Sequence, residues 1–124
     1  MKRALILFAH GARAASWAAP FERLRDIVAA REPEVDVSLA FLELMSPRLP
    51  ERAAALVAQG ITDLTVVPVF LGQGGHVLRD LPLMIDQLRV DHPQLAVRVA
   101  EAAGENAAVL QAIADYCVGS LADA

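Results

Sequence analysis

Two histidines in this chain directly follow apolar runs, and glycines lie beside both of them. His10 comes after the run ALILFA, and His76 comes after the glycine-rich loop GQGG that follows the run DLTVVPVFL. Glu43 closes a further apolar run, VDVSLAFLE. Neutral imidazole binds divalent Co, Ni, Fe or Zn and can also accept a proton near neutral pH. Two histidines with one carboxylate make an incomplete metal site, suited to an ion that is passed on.

The glycine-rich loop matches none of the common phosphate-binding patterns. A P-loop needs lysine and a hydroxyl residue after its last glycine, and neither follows Gly75. The dinucleotide fingerprint fails because Val77 stands in place of the third glycine. Ala9 stands where histidine phosphatases have an arginine, and no G-x-S-x-G motif of a serine hydrolase is present. Metal or proton chemistry is therefore favoured over phosphate binding.

Strand-like and helix-like segments alternate along the chain. Strands are predicted at 4–9, 35–43, 63–71 and 95–101, and helices at 17–32, at 50–60, from Asp80-Leu81-Pro82 onward, and at 105–122. This alternation indicates βαβ units and a parallel sheet covered on both faces. We predict one domain over residues 1–124, a flavodoxin-like three-layer α/β sandwich with a four-stranded parallel sheet in the order 2-1-3-4. Pro68 should mark the point near the end of the third strand where pairing stops on one side.

The predicted order brings the candidate residues together. Ligands of open α/β sheets bind beyond the carboxyl ends of the strands, where the strand order reverses. In the order 2-1-3-4 that point lies between strands 1 and 3, which His10 and His76 follow. Glu43 ends strand 2 beside them, as a further ligand, a base or only a polar strand end. The third histidine, His92, is expected at a solvated helix end.

Composition limits the remaining classes of function. The 124 residues carry a net charge of −4, so binding to nucleic acid is not expected. Neither a signal peptide nor an apolar stretch of membrane-spanning length is apparent, which predicts a cytoplasmic protein. Cys117 is the single cysteine, and we expect it to be buried in the last helix. The alanine-rich apolar surplus leaves surface that an oligomer could cover.

Three blocks of the sequence resemble the short CbiX type of sirohydrochlorin chelatase, a group of small class II tetrapyrrole chelatases. The blocks are HGAR (10–13), FLELMSP (41–47) and VPVFLGQGGHVLRDLP (67–82). They follow the first three strands in the family's order and spacing. Ala12 replaces the family's usual serine, and Ser46 stands where archaeal members commonly have a glutamate.

The resemblance implies a lyase that inserts a divalent metal into sirohydrochlorin, a polycarboxylated tetrapyrrole, in cobalamin or sirohaem biosynthesis. It implies His10 as proton acceptor and metal ligand, His76 as second ligand, and a homodimer. The resemblance also implies that the loop Leu71, Gly72, Gln73, Gly74 and Gly75 lines the macrocycle. Ser46 is a further candidate for binding the substrate, and so are Arg13 and Arg79, since arginine matches carboxylates bidentately.

The metal is expected as a substrate rather than as a tightly bound cofactor. The resemblance favours Co²⁺, with Fe²⁺ or Ni²⁺ as alternatives. The order of affinities does not identify the metal, because selectivity at such a site comes from geometry and supply. Insertion displaces two pyrrole protons, which requires a base and a weakly held ion. Two other functions stay open: a non-enzymatic metal or tetrapyrrole carrier, and a phosphatase that depends on His10.

Overall fold

The computed structural model of the chain describes residues 2–72 and 74–121, with the side chains of His76 and Leu78 outside the description. Its elements, in chain order, are β1 (Arg3–Ala9), α1 (Ala19–Arg31), β2 (Asp36–Phe41), α2 (Leu49–Ala58), β3 (Asp63–Pro68), α3 (Gly75–Asp91), β4 (Ala96–Val99) and α4 (Ala107–Leu121). Short 3-10 turns at Ala15–Ala18 and Ala103–Glu105 precede α1 and α4. In the described part of the chain, no helix is long and apolar enough to cross a membrane.

The four strands form one parallel sheet in the order β2-β1-β3-β4, which confirms the predicted α/β fold. β1 is central because its continuous apolar run is buried on both faces. Its last residues pair with both neighbours, Phe8 with Ala40 of β2 and with Pro68 of β3. Pairing between β3 and β4 ends earlier, at Val66 and Val99. Pro68 therefore pairs on one side only, as predicted.

The main core lies between the sheet and the pair α2 and α3. The even-numbered residues of β1 point into it, and Phe8 and Ile6 are completely buried. Each helix turns an apolar stripe to the sheet, with residues such as Leu56 of α2 and Leu88 of α3. α2 begins with Pro50 in its first turn and is followed by Gly60, as the sequence predicted.

The opposite face of the sheet carries a smaller core under α1. Its buried members come from β1, β2 and the turn before α1: Leu7, Ala9, Ala18, Leu39 and Phe41. Leu5, Val67 and Val69, toward β3, are only partly buried. One helix thus covers this face where two cover the other.

α4 stands apart from both cores. None of its residues is buried, and Tyr116 is 78% exposed. The expectation that Cys117 is buried is wrong, because this residue is exposed like the rest of its turn of α4.

The predicted starts of α1, α2 and α4 lie within two residues of the observed ones, and that of α3 lies five residues away. α3 begins at Gly75, five residues before the predicted start, and Pro82 lies inside the helix. Burial explains the longer helix, since Val77 and Leu81 extend its buried stripe by one turn. α1 begins at Ala19 after a 3-10 turn that contains Ser16, and no side chain caps the start of α1.

Candidate active site

His10 lies at the carboxyl end of β1, where backbone hydrogen bonds hold the strand on both sides. The N–H of Val69 donates to the Phe8 carbonyl at 2.8 Å, and the N–H of Leu42 donates to the Ala9 carbonyl at 2.9 Å. The imidazole is half-buried, and its ring centroid lies 4.8 Å from that of Phe70. Among the described side chains and backbone groups, none is hydrogen-bonded to this imidazole.

Glu43 is joined to His10 through the backbone. Its N–H donates to the His10 carbonyl at 3.1 Å. Gly11 makes this approach possible, because a Cβ at that position would overlap the Glu43 carbonyl oxygen, and its φ of +93° is one that L-residues rarely adopt. The Glu43 side chain is exposed and lines a cleft of about 440 Å³ together with Arg48 and Asp80. The backbones of Glu43 and His10 are thus in contact, whereas the Glu43 side chain lines a different cleft from the one beside the His10 ring.

An apolar cleft of about 370 Å³ opens beside the His10 ring. Three aromatic side chains contribute to its walls: Trp17, Phe21 and Phe70. The rings of Trp17 and Phe21 lie in tilted contact, with centroids 4.6 Å apart. The other lining residues are Val69, Leu71, Ala103, Val109 and Ile113. Such a cleft suits the apolar face of a ligand, with His10 as the polar group at its edge.

Phe70 was not identified from the sequence. It packs against His10 and also against Phe8, edge-on at 6.4 Å between ring centroids. The sequence placed it inside the strand predicted at 63–71, and its contact with His10 follows from the β1–β3 register. Trp17 was missed for a similar reason, since nothing local distinguishes it from a core aromatic.

The loop 71–75 leads from this cleft into α3. Leu71 is 62% exposed, and a Cβ added at Gly72, Gly74 or Gly75 would meet no described protein atom within 4 Å. Gln73 lies outside the described residues. The backbone of His76 forms part of the first turn of α3. Because its side chain is not described, the pairing of His76 with His10 stays a prediction.

The remaining candidates lie apart from the apolar cleft. Arg13 is exposed on the loop after β1, and Arg79 is 72% exposed and donates to Asp80 at 3.3 Å. Ser46 lines a separate cleft of about 630 Å³ between α1 and the edge of β2. His92 caps the end of α3, as predicted. Among the described side chains, no group of three or more His, Cys, Asp or Glu could hold a metal ion.

Comparison with known proteins gives consistent matches. A family model described as CbiX matches residues 4–117. The chain is 30% identical over 81 residues to the sirohydrochlorin cobaltochelatase of Methanosarcina acetivorans, covering 65% of this chain and 62% of that protein. It is 29% identical over 117 residues to the sirohydrochlorin ferrochelatase of Bacillus subtilis, covering 91% of this chain and 43% of that protein. The aligned regions thus span less than two thirds of either relative.

A solved structure resembles the chain over almost its whole length. It comes from Marinobacter aquaeolei and is described provisionally as a cobalamin (vitamin B12) biosynthesis CbiX protein. The TM-score is 0.85 with 33% identity, and the match covers 98% of this chain and 99% of that one.

Proposed function

Since this chain belongs to the CbiX family, we propose that it is a chelatase that inserts a divalent metal into sirohydrochlorin. Co²⁺ is the favoured metal, with Fe²⁺ or Ni²⁺ as alternatives. Relatives named cobaltochelatase and ferrochelatase support Co²⁺ and Fe²⁺ as candidates. The observation that carries the proposal is the half-buried His10 imidazole, which faces an apolar cleft and makes no hydrogen bond to the described residues.

His10 acts as metal ligand and proton acceptor in this proposal. Metal insertion replaces two pyrrole N–H protons, so a base must stand next to the macrocycle nitrogens. An imidazole that holds the ion can release it to the pyrrole nitrogens and then take up one of the displaced protons. Contact with the Phe70 ring, 4.8 Å away between centroids, supports the imidazole at the edge of the cleft.

His76 is the proposed second ligand. Its support is topological: β3 pairs with β1 up to Phe8 and Pro68, so the loop after β3 leaves the sheet next to His10. Two imidazoles leave several positions of the ion open for pyrrole nitrogens. Glu43, fixed to His10 through the backbone, is proposed as an additional carboxylate that stabilises the ion or accepts the second proton.

The substrate's carboxylates need cationic and N–H partners at the rim. The exposed guanidinium groups of Arg13 and Arg79 are proposed to bind them. Arg79 would then either leave Asp80 or contact Asp80 and a substrate carboxylate together. A Cβ added at Gly72, Gly74 or Gly75 would meet no described atom within 4 Å, which supports the approach of a flat ring to these residues. Ser46 is proposed as a more distant contact, since it lines the neighbouring cleft.

We further propose that two copies form a homodimer. The exposed apolar side chains of α4 support this proposal, because a contiguous apolar surface of this kind usually marks an interface. The cytoplasmic location stays a prediction of the sequence.

The test is metal insertion followed by the absorption of the macrocycle, with Co²⁺, Fe²⁺ and Ni²⁺ compared. His10→Ala should lower the rate about a hundredfold, since general-base catalysis contributes about 10²–10⁴-fold. His76→Ala should lower it too. His92→Ala is the matched control, because that histidine ends α3 and lines none of the three clefts described above.

The other candidate functions give different outcomes in the same experiment. Binding of metal or tetrapyrrole without acceleration over the spontaneous rate, with every metal, would indicate a carrier. A phosphohistidine at His10, trapped from a phosphate donor, would indicate a phosphatase or phosphotransfer enzyme.

A further inference from the structure

Leu44 adopts a backbone conformation that leucine rarely takes. Its φ is +66°, in the left-handed region where the Cβ of an L-residue crowds the following carbonyl oxygen. In the part of the chain that the structure describes, it is the only residue other than glycine with a positive φ. Glycine and asparagine fit this region better than leucine does. The shape of the backbone therefore does not explain why a leucine stands here.

The two hydrophobic cores do not require a leucine at this position either. The apolar side chains around it point inward: Leu42 is 5% exposed in the main core, and Met45 packs against the core under α1. Leu44, between them, is 59% exposed. It lines neither the cleft that contains Glu43 nor the cleft that contains Met45. Packing within the described part of the chain thus leaves this side chain unused.

The segment 42–47 forms a closed loop that holds Leu44 at its tip. The two ends of the loop are joined, since the N–H of Phe41 donates to the Pro47 carbonyl at 2.9 Å. Side chains on both sides of the tip are anchored in the two cores, as described above. A side chain on such a fixed support loses less conformational freedom when it binds a ligand than one on a mobile loop.

The tip of this loop lies next to the backbone of His10. The N–H of Glu43 donates to the His10 carbonyl at 3.1 Å, and Leu44 follows one Cα step of ~3.8 Å later. On the other side of β1, Leu71 follows β3 and is 62% exposed. Because β1 lies between β2 and β3 in the sheet, His10 lies between the segments that carry these two exposed leucines.

We propose that Leu44 contacts the apolar face of the tetrapyrrole, opposite Leu71 across His10, and that the unfavourable conformation is retained because it presents this side chain. The inference rests on the chelatase function proposed above and adds a substrate-binding residue to it. The carboxylates of the macrocycle project from its edge, so its flat faces are apolar and suit leucine. An apolar contact on each side of His10 orients the ring over the imidazole.

The proposal predicts opposite effects on stability and on substrate binding. Leu44→Asn introduces a residue that tolerates the left-handed region, so the urea midpoint of unfolding should rise by roughly 0.3–1 M. The same variant should bind metal-free sirohydrochlorin about tenfold more weakly, because it loses an apolar contact that binding buries. In metal insertion, KM should rise with little change in kcat, since the contact is the same in the ground and transition states.

The test is a titration of the full chain with metal-free sirohydrochlorin, followed by the absorption of the macrocycle, with urea unfolding of the same variants. Leu44→Gly also fits the left-handed region and repeats the loss of the side chain if Leu44→Asn fails to fold. Leu44→Met keeps an apolar side chain, so its dissociation constant should stay within about threefold of wild type.

Val90→Asn is the matched control for the loss of an exposed apolar side chain. Val90 is 73% exposed and lies near the end of α3, away from the loop 71–75 where this helix begins. Its substitution should change the dissociation constant for sirohydrochlorin by less than about twofold.

Four results would overturn the inference, and they can be told apart. A wild-type chain that binds no sirohydrochlorin would remove the chelatase proposal together with this one. Wild-type affinity in Leu44→Asn, with metal insertion intact, would remove this inference alone. A lower urea midpoint in both Leu44→Asn and Leu44→Gly would mean that the leucine serves the fold. Weaker self-association of Leu44→Asn in sedimentation, with unchanged affinity for the tetrapyrrole, would assign Leu44 to a protein interface.

Discussion

Gly11→Ala should destabilise the protein more than the addition of a methyl group at any other position of the loop after β1. Gly11 has a φ of +93°, and a Cβ there would overlap the carbonyl oxygen of Glu43. That oxygen belongs to backbone rather than to a flexible side chain, so the segment after β2 must move. The movement would strain or break the bond from the Glu43 N–H to the His10 carbonyl.

The cost can be worked out from two contributions. A non-glycine residue held in a sparsely populated backbone region costs about 1–3 kcal/mol. Loss of one backbone hydrogen bond costs about 0.5–1.5 kcal/mol. Together they predict a loss of about 1.5–4.5 kcal/mol, against a typical unfolding free energy of about 5–15 kcal/mol.

Gly60→Ala separates the two contributions. Gly60 also has a positive φ, +90°, but the atom nearest to its added Cβ is Lys2 Nζ at 3.5 Å, the tip of a flexible side chain. This variant should incur the backbone cost alone. Urea unfolding followed by circular dichroism, with unchanged slope, should place Gly11→Ala below Gly60→Ala by about 1 kcal/mol or more.

The same substitution should act on the site. Because the displaced segment carries Glu43 and is hydrogen-bonded to the His10 carbonyl, metal insertion by the folded fraction should fall in Gly11→Ala and stay near wild type in Gly60→Ala. Equal losses of stability in the two variants, or full activity in Gly11→Ala, would refute the view that this contact positions the site.

Three further substitutions test the core, the α2 contact and the aromatic neighbour of the site. Leu56→Ala, at a completely buried position, should cost about 2–5 kcal/mol in urea unfolding, and a loss below about 1 kcal/mol would contradict its place in the core. Arg52→Met removes the 3.1 Å ion pair with Asp36. Because this pair is partly exposed, the unfolding free energy should fall by less than about 1 kcal/mol, and a larger fall would contradict the small contribution expected of such a pair. Phe70→Ala should lower kcat about tenfold with little change in KM, because the His10 ring loses its support. The NMR signal of the His10 ring should shift in this variant, and an unmoved signal would argue against the contact.

The sheet and the position of His10 were predictable because they follow from periodic, local signals. A continuous apolar run identified β1, and the alternation of strands and helices fixed a parallel sheet. Once the order β2-β1-β3-β4 is assumed, His10 and Glu43 must come to one rim. The structure confirms the strand order and the backbone contact between these two residues.

The start of α3 was missed because two signals disagreed. Asp80-Leu81-Pro82 has the form of a helix start, whereas Gly74 and Gly75 are poor helix formers. Burial of Val77 decides the outcome, since it lies four residues before Leu81 on the stripe that faces the sheet. The spacing of Val77, Leu81 and Ile85 was the available signal.

The burial of Cys117 was predicted wrongly because the apolar pattern of α4 indicates that the helix is buried but not which element covers it. An apolar helix is normally buried in its own domain, and the composition of α4 fits that rule. Asn106 and Gly104 instead direct the helix away from its own sheet. That direction depends on tertiary contacts which no periodicity reveals.

The β1–β3 pairing has a consequence for the order of events during folding. Ala4 pairs with Leu64 and Phe8 with Pro68, so the two strands meet across a separation of about sixty residues. Contacts of such long range form late, since a large loop must close, at a cost in entropy, before these contacts can stabilise the chain. The cleft between His10 and Phe70 can exist only after this closure. A chain still emerging from the ribosome therefore has no formed site, and we expect it to bind no metal until the third strand has joined the sheet.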